Sequence, residues 1–275
     1  MRGPVRASWG RSRVTPRDPR ALPEIRAALA DAHGPALRRL AAELADDERT
    51  GVRAAVDTAL RRERARQREV ARLRRLYALE EALRHEGWQV IAGIDEVGRG
   101  ALAGPLTAGA CVLPAQPRIE GLDDSKRLAP ARREQVAEQI RGVAVCWSVA
   151  HVPASDVDAL GMTAALRKVM GLAIDGLAIE PDHIVVDGRP IGVRAHESAV
   201  IGGDGKVAAV AAASVLAKVA RDAHMRLIAG DYPDFGFEVN KGYGTLEHLD
   251  AVRVLGPCVE HRRSFLPAGG HDRLF

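Results

Sequence analysis

From Trp88 onward, short apolar runs alternate with longer amphipathic stretches, and this alternation of period constrains the fold more than any other feature of the chain. The runs VIAGID (90–95), TAGACVL (107–113), VAVCWSVAHV (143–152) and HIVVDG (183–188) are the length of buried strands. Between and after them the pattern turns helical. Residues from Pro130 to Arg141 are amphipathic, PASDVDALG opens a helix that Gly161 stops, and residues 162–178 form another that Pro181 closes off. Val207–Ile228 is an Ala-rich helix, residues 231–244 read as loop, and Thr245–Leu255 as a last helix. Strands interleaved with helices predict an α/β domain. Aromatic residues are only 4% of the chain, so Val, Ile, Leu and Ala must fill its core. No internal repeat is visible.

The first 86 residues have a different texture. Residues 1–20 are rich in Arg, Pro, Ser and Gly and predict a disordered basic tail. Residues 21–86 predict a helical extension built from Ala, Leu and Arg, good helix formers, with Gly34 and Pro35 separating the first helix from the second. A long helix is expected from about Asp47 to His85, ended by Gly87; its stretch RRERARQRE (61–69) reads as a solvated face. Residues 87–275 then form the α/β domain together with a helical C-terminal portion.

Charge divides along the same line. Residues 1–85 hold 20 Arg, no Lys and 12 Asp or Glu, whereas the remainder is net acidic, although the whole chain is +4. A basic arm on an acidic body suggests that the arm meets a polyanion and the body holds cations. The preference for Arg over Lys also has a purely compositional account. The longest nearly continuous apolar stretch, Val207 to Ala217, is interrupted by Ser214 and is far shorter than the roughly 20 residues of a membrane span. The opening residues lack the apolar segment of a secretory signal. Cys111, Cys146 and Cys258 are widely spaced with no C-x-x-C, so neither a zinc cluster nor a disulfide framework is expected, and a cytoplasmic location is the default.

Four acids sit where solubilising charge has no reason to be. Asp95 and Glu96 end the run IAGI, Asp187 ends HIVV, and Asp204 lies in the glycine-rich IGGDGK. Neighbouring carboxylates resist ionisation unless a cation compensates them. With no His or Cys at ligand spacing, the hard oxygens favour Mg²⁺ or Mn²⁺. Carboxylates converging from separate strands are what two-metal phosphoryl chemistry needs, and the reading requires the four acids to share one pocket. Adjacent strand residues point to opposite faces, so Asp95 and Glu96 are expected at a strand end or bulge, which Gly98 and Gly100 would permit. Gly98-Arg99-Gly100-Ala101-Leu102-Ala103 also fits a dinucleotide-binding turn. Asp95 and Glu96 would repel the pyrophosphate, however, and TAGACVL leaves no room for the helix such a turn requires.

IAGIDEVGRGALAGPL (91–106) resembles the N-terminal signature of type 2 ribonuclease H, ribonuclease HII. The likeness continues in order through GLDDSKRL (121–128), HIVVDG, GGDGK, AAASVLAKVARD (211–222), NKGYGT (240–245) and HRRSF (261–265), over about residues 88–265. The resemblance implies a ribonuclease H-like mixed sheet flanked by helices, with a helical C-terminal portion. It also implies an endoribonuclease that hydrolyses the RNA of RNA–DNA hybrids and cuts 5′ of single ribonucleotides in duplex DNA, leaving 3′-hydroxyl and 5′-phosphate ends. Its partner is therefore an RNA–DNA hybrid or a DNA duplex containing ribonucleotides, and no membrane. Asp95, Glu96, Asp187 and Asp204 match its catalytic, metal-holding acids, with Asp95 expected to bridge two Mg²⁺ or Mn²⁺ ions.

Gly98, Arg99 and Gly100 match the loop whose backbone reads the 2′-hydroxyl, the group that separates RNA from DNA. Tyr243 matches a tyrosine that stacks on the following deoxyribose. Ser125, Lys126, Ser214, Lys218 and Arg221 match polar positions near backbone phosphates. Taken alone, these residues also have plainer accounts. Lys218 stands in i,i+4 reach of Asp222, Tyr243 reads as a plug over the core, and His261 with the two arginines after it reads as a basic surface patch. The sequence departs from the family's usual pattern at Gly202, where Lys is common and Lys206 is the nearest substitute, and at Asn240, where His is frequent. The N-terminal extension, outside the core likeness, is expected to add salt-dependent duplex affinity, to pack on the body or to bind a protein partner. The competing readings are another nuclease or strand-transferase on the same fold, and a catalytically silent hybrid-binding protein.

Overall fold

The computed structural model describes residues 18–266. Most of the expected basic tail thus lies outside the described residues. The chain divides into two compact units, one running to Ala71 and one from Arg72 onward.

The first unit contains α1 (Leu22–Asp31), α2 (Gly34–Glu43) and most of α3 (Thr50–Leu76). Its core is a small aliphatic cluster of Ile25, Leu29, Leu37, Leu44, Val52 and Ala59. Asp47 organises the turn into α3. Its Oδ1 accepts from the Arg49 backbone N–H at 3.0 Å, and its carboxylate pairs with the Arg49 guanidinium. The helix expected from Asp47 to His85 is two helices, because α3 ends at Leu76 and α4 spans Ala78–His85. The break falls at Tyr77, whose ring is buried and whose hydroxyl accepts from the Ile119 N–H at 3.2 Å.

The second unit is built on β1 (Ile91–Val97), β2 (Leu106–Val112), β3 (Cys146–Val152), β4 (His183–Asp187) and β5 (Glu197–Val200). They form one mixed sheet in the order β3-β2-β1-β4-β5. β2 runs antiparallel to β1 and β3, while β1, β4 and β5 are parallel. β5 escaped the sequence reading because ESAV is a half-buried edge strand carrying Glu197 and Ser198, without the continuous apolar run of β4. The strand at 143–152 is shorter than expected, since α5 (Pro130–Val143) takes its first residue.

α5 and α8 (Ala208–Ile228) cover one face of the sheet, with Val136, Ile140, Leu216 and Cys111 in a shared core. α6 (Ala154–Leu160) and α7 (Met162–Asp175) cover the other, packing Val157, Val169 and Met170 on Ile94, Leu106 and Val186. Gly161, at φ +73°, ends α6 as expected. The segment at 231–244 holds one turn of 3₁₀ helix and the short α9 (Phe237–Asn240). Thr245 caps α10 (Leu246–Leu255), its Oγ1 accepting from the His248 N–H at 3.3 Å. β2 rather than a helix follows the glycine turn, so no dinucleotide-binding unit exists there.

Candidate active site

Parallel pairing brings two of the acids to adjacent strand ends. Ile94 on β1 pairs with Val186 on β4, and Asp95 and Asp187 are the next residues of each strand. β1 neither ends nor bulges between Asp95 and Glu96. Asp95 pairs with Gly109 and Glu96 with Ala108 in unbroken register. The two neighbours therefore fall on opposite faces of the sheet; of the expected strand end or bulge there is no bulge, and the strand ends at Val97, one residue past Glu96.

Asp95 lies on the α8 face. It is 4% exposed and feels the Ser214 hydroxyl, which favours its charged form, and Ser214 Oγ lies 2.9 Å from that of Ser125. Glu96 lies on the α7 face. With Asp187, Arg99 and the α7 residues Thr163, Leu166 and Met170 it lines a cleft of about 650 Å³. Asp187 Oδ1 accepts from the Gly203 N–H at 2.6 Å, which ties β4 to the turn carrying Asp204. Asp204 is itself buried and holds the Lys126 ammonium at 2.8 Å from Oδ2.

The electrostatics couple these groups. Burial pushes Asp95 up to about 8, with the charges of Glu96 and Asp187 adding to it. Glu96 is also raised, by burial first and by Asp187, against the pull of Arg99. Burial opposes the charge on Lys126, but its bond to Asp204 wins and holds the ammonium above its usual range. This is a donor set of carboxylate oxygens short of positive charge, which suits a hard divalent cation. Among the described residues, no three carboxylate, imidazole or thiol groups stand close enough together to cage an ion as they are. Lys126 occupies Asp204, and Asp95 and Glu96 leave the end of β1 on opposite faces.

The glycine turn after β1 rests on two buried arginines. Gly98 has φ +87°, and a Cβ there would lie 2.3 Å from Arg221 Nε. Arg262 Nη1 donates to Gly98 O at 2.6 Å and to Arg99 O at 3.2 Å, and its Nε and Nη2 donate to Gly104 O. Gly100, by contrast, has open space where a Cβ would be. Tyr243, half-buried, lays its ring against the Arg221 guanidinium at 5.3 Å and the Lys218 ammonium at 5.8 Å.

A family model described as Ribonuclease HII matches residues 92–267, and one described as Ribonuclease HII N-terminal domain matches residues 22–84. The chain belongs to the ribonuclease HII family. It is 40% identical over 225 residues to ribonuclease HII of Shouchella clausii, covering 82% of this chain and 87% of that protein. It is 45% identical over 203 residues to ribonuclease HII of Moorella thermoacetica, covering 74% and 98%. Among solved structures it is similar to ribonuclease H2 from Pyrococcus horikoshii, with TM-score 0.55 and 27% identity over 64% of this chain and 93% of that one. A chain of the PCNA–ribonuclease HII complex from Archaeoglobus fulgidus gives TM-score 0.57 and 25% identity over 66% and 98%. The protein is thus a ribonuclease H, an enzyme with a mixed five-stranded sheet flanked by helices.

Within this ribonuclease H, the residues expected at phosphates divide into two groups. Lys126 is exposed, and Lys218 reaches the rim beside Tyr243 while pairing with Asp222 at 2.7 Å. Ser125, Ser214 and Arg221 are buried. Arg221 has no exposed surface, and its guanidinium donates to Pro105 O, Lys241 O and Ala103 O. It joins the glycine turn to the Tyr243 loop instead of facing solvent. The basic surface patch read into HRRSF is also corrected, because His261 and Arg262 are buried and only Arg263 of the three is exposed. Arg262 was missed as a site residue because three carbonyls distant in sequence satisfy it, and nothing local in HRRSF signals that. No helix among the described residues is long and apolar enough to cross a membrane.

Proposed function

We propose that this ribonuclease H hydrolyses the RNA strand of RNA–DNA hybrids and cuts on the 5′ side of single ribonucleotides embedded in duplex DNA, leaving 3′-hydroxyl and 5′-phosphate ends. The observation that carries this reading is the rigid Gly98-Arg99-Gly100 turn immediately after Asp95 and Glu96. The buried Arg262 guanidinium holds the Gly98 and Arg99 carbonyls, and the buried Arg221 guanidinium fills the space beneath Gly98. A turn fixed in this way presents its backbone to a sugar at constant geometry, and a 2′-hydroxyl both donates and accepts hydrogen bonds. Discrimination of RNA from DNA then rests on backbone atoms.

Asp95, Glu96, Asp187 and Asp204 are the residues that would hold two divalent ions, Mg²⁺ or Mn²⁺. When bound, such ions supply activation of water and stabilisation of the leaving 3′-oxygen. The chain's own residues do the rest. Ser214 and Ser125 fix the Asp95 carboxylate from behind. Lys126 must leave Asp204 before that carboxylate can take a cation, and its exposed ammonium is then free for a substrate phosphate. Tyr243, backed by Lys218 and Arg221, offers a flat ring for the deoxyribose that follows the ribonucleotide. Arg221 acts through the loops it joins.

The test is a nicking assay with Mg²⁺. Duplex DNA carrying one ribonucleotide should be cut once, 5′ of that ribonucleotide, and an all-DNA duplex should stay intact. Cutting of both duplexes would make this a general nuclease, and binding without cutting would make it a silent hybrid-binding protein.

A further inference from the structure

A second concave surface lies next to Asp204 and does not include Tyr243. The last turn of α3, the segment around Asp123 and the two residues after Asp204 enclose a groove of about 330 Å³. Its polar lining is four cations, Arg72, Arg75, Arg127 and Lys206, against one carboxylate, Asp123. All belong to the unit that begins at Arg72.

Three of these cations, Arg75, Arg127 and Lys206, are weakly neutralised among the described residues. The Arg75 side chain is exposed and makes no hydrogen bond or ion pair among the described residues. Arg127 reaches Asp123 only at 3.4 Å, in an exposed contact of little worth. Lys206 donates to a neutral partner, Ile201 O, at 2.6 Å. Arg72 is steadied by donating from Nη1 to Leu122 O at 2.8 Å. Like charges gathered around one groove repel one another, and an anion between them relieves that repulsion. Guanidinium groups suit phosphate oxygens in particular.

The position decides which phosphate. Gly205 and Lys206 directly follow Asp204, so the groove opens beside a carboxylate of the proposed cutting site. No aromatic residue lines it, so it offers no platform for a base. We infer that this groove holds the phosphodiester backbone of the duplex a short way along from the scissile bond, positioning it without reading sequence. The inference rests on the proposed nuclease reading and extends the footprint to a flank that neither the glycine turn nor Tyr243 touches.

Arg74 and Arg75 are exposed neighbours on α3, but only Arg75 lines the groove. Arg75→Gln and Arg74→Gln therefore remove the same charge from almost the same place. Steady-state cleavage of a single-ribonucleotide duplex by the full chain with Mg²⁺ is measured from about 50 to 200 mM KCl, the range over which phosphate contacts weaken. Arg75→Gln should raise KM several-fold, leave kcat unchanged and flatten the slope of log(kcat/KM) against log[KCl] by about one contact. Arg127→Gln should do the same, and Arg74→Gln should stay near wild type. Arg75→Gln and Arg127→Gln indistinguishable from Arg74→Gln would overturn the groove. Failure of the wild type to cut would instead overturn the nuclease reading. Duplex affinity of the same three variants, followed by fluorescence anisotropy, would then decide the groove by the same comparison. An acidic protein as the true occupant would show as unchanged duplex affinity, which also overturns the inference.

Discussion

His248 Nε2 and His261 Nε2 lie 3.0 Å apart in the interior, and their other partners assign the proton between them. His248 Nδ1 faces Tyr243 O at 2.8 Å, so Nδ1–H donates there and Nε2 must accept. His261 therefore donates from Nε2, and its Nδ1 accepts from the Cys258 N–H at 3.1 Å. The relay is complete only with both rings neutral, and it fixes the backbone of Tyr243 from beneath.

Burial, together with the charge His248 would carry, lowers His261 to about 4. Between about 4 and the unperturbed value near 6.5, the unfolded chain binds a proton at this ring that the folded chain does not. Stability from this residue is thus fully present above about 6.5 and lost as pH falls towards 4. His151 and His183 are also lowered, both mainly by burial, and add in the same direction. Thermal unfolding from pH 7 to pH 4.5 should show Tm falling, and His261→Gln should make that dependence shallower. Parallel curves would remove the relay as a source of it.

Asp95 works in the opposite sense. Burial, then Glu96 and Asp187, raises its carboxyl to about 8, so the folded chain binds a proton there that the unfolded chain has already released. Its contribution to stability is full below the unfolded value of 3.8 and disappears as pH rises through about 8. Asp95→Asn keeps the volume and removes the charge. In EDTA it should raise Tm, more at pH 8 than at pH 5, while abolishing turnover. Mg²⁺ should then raise the wild-type Tm and leave the variant almost unmoved. Equal shifts in both proteins would remove Asp95 from the proposed metal ligands.

Much of this fold was legible because its signals are local. β1, β2 and β4 are continuous apolar runs, Gly161 and Thr245 punctuate helices in the usual way, and the acids stand out at strand ends. What escaped reading depends on distant partners. Tyr77 stands at the helix break with its hydroxyl on Ile119, 42 residues away, and β5 is a strand only because β4 lies beside it. Arg221 and Arg262 look like surface charge in sequence, yet backbone carbonyls from separate loops solvate them internally. The opposite orientations of Asp95 and Glu96 follow from a strand register that runs on through Val97, which Gly98 and Gly100 had argued against.

Glu80 offers a test of such hidden partnerships. It lies on α4 at 1% exposure, and Oε1 accepts from the N–H of Ala209, in the first turn of α8, at 2.7 Å. Oε2 has no hydrogen-bond partner among the described residues, and burial raises the carboxyl above its ordinary value. Glu80→Ala would orphan the Ala209 N–H and should cost about 1–3 kcal/mol in denaturant unfolding at pH 7. Glu80→Gln keeps an acceptor and removes the buried charge. It should be much milder than Glu80→Ala and should gain on wild type as pH rises. If both variants cost the same, the acceptor role of Oε1 is refuted.

Gly93 and Gly109 decide how close α8 can come to the acids. They occupy adjacent strands, and Gly109 is the register partner of Asp95. A Cβ on Gly93 would lie 2.1 Å from the carbonyl carbon of Ala209, and one on Gly109 would lie 2.4 Å from Ala213 O. The helix rests with its backbone on the sheet at Ala209 and Ala213, where no larger side chain intervenes. Gly109→Ala must push α8 outward, and with it Ser214, which holds Asp95. Overpacking of this kind typically costs about 1–3 kcal/mol. The same substitution at Gly142, in α5 with nothing within 4 Å of its Cβ position, should instead stabilise by about 0.5–1 kcal/mol through helix propensity. Urea unfolding of both variants, with kcat measured alongside, separates backbone contact from a generic glycine effect. Gly109→Ala should lose stability and kcat together, and Gly142→Ala should lose neither; a Gly109→Ala protein as stable and active as wild type would mean that α8 does not set the position of Asp95.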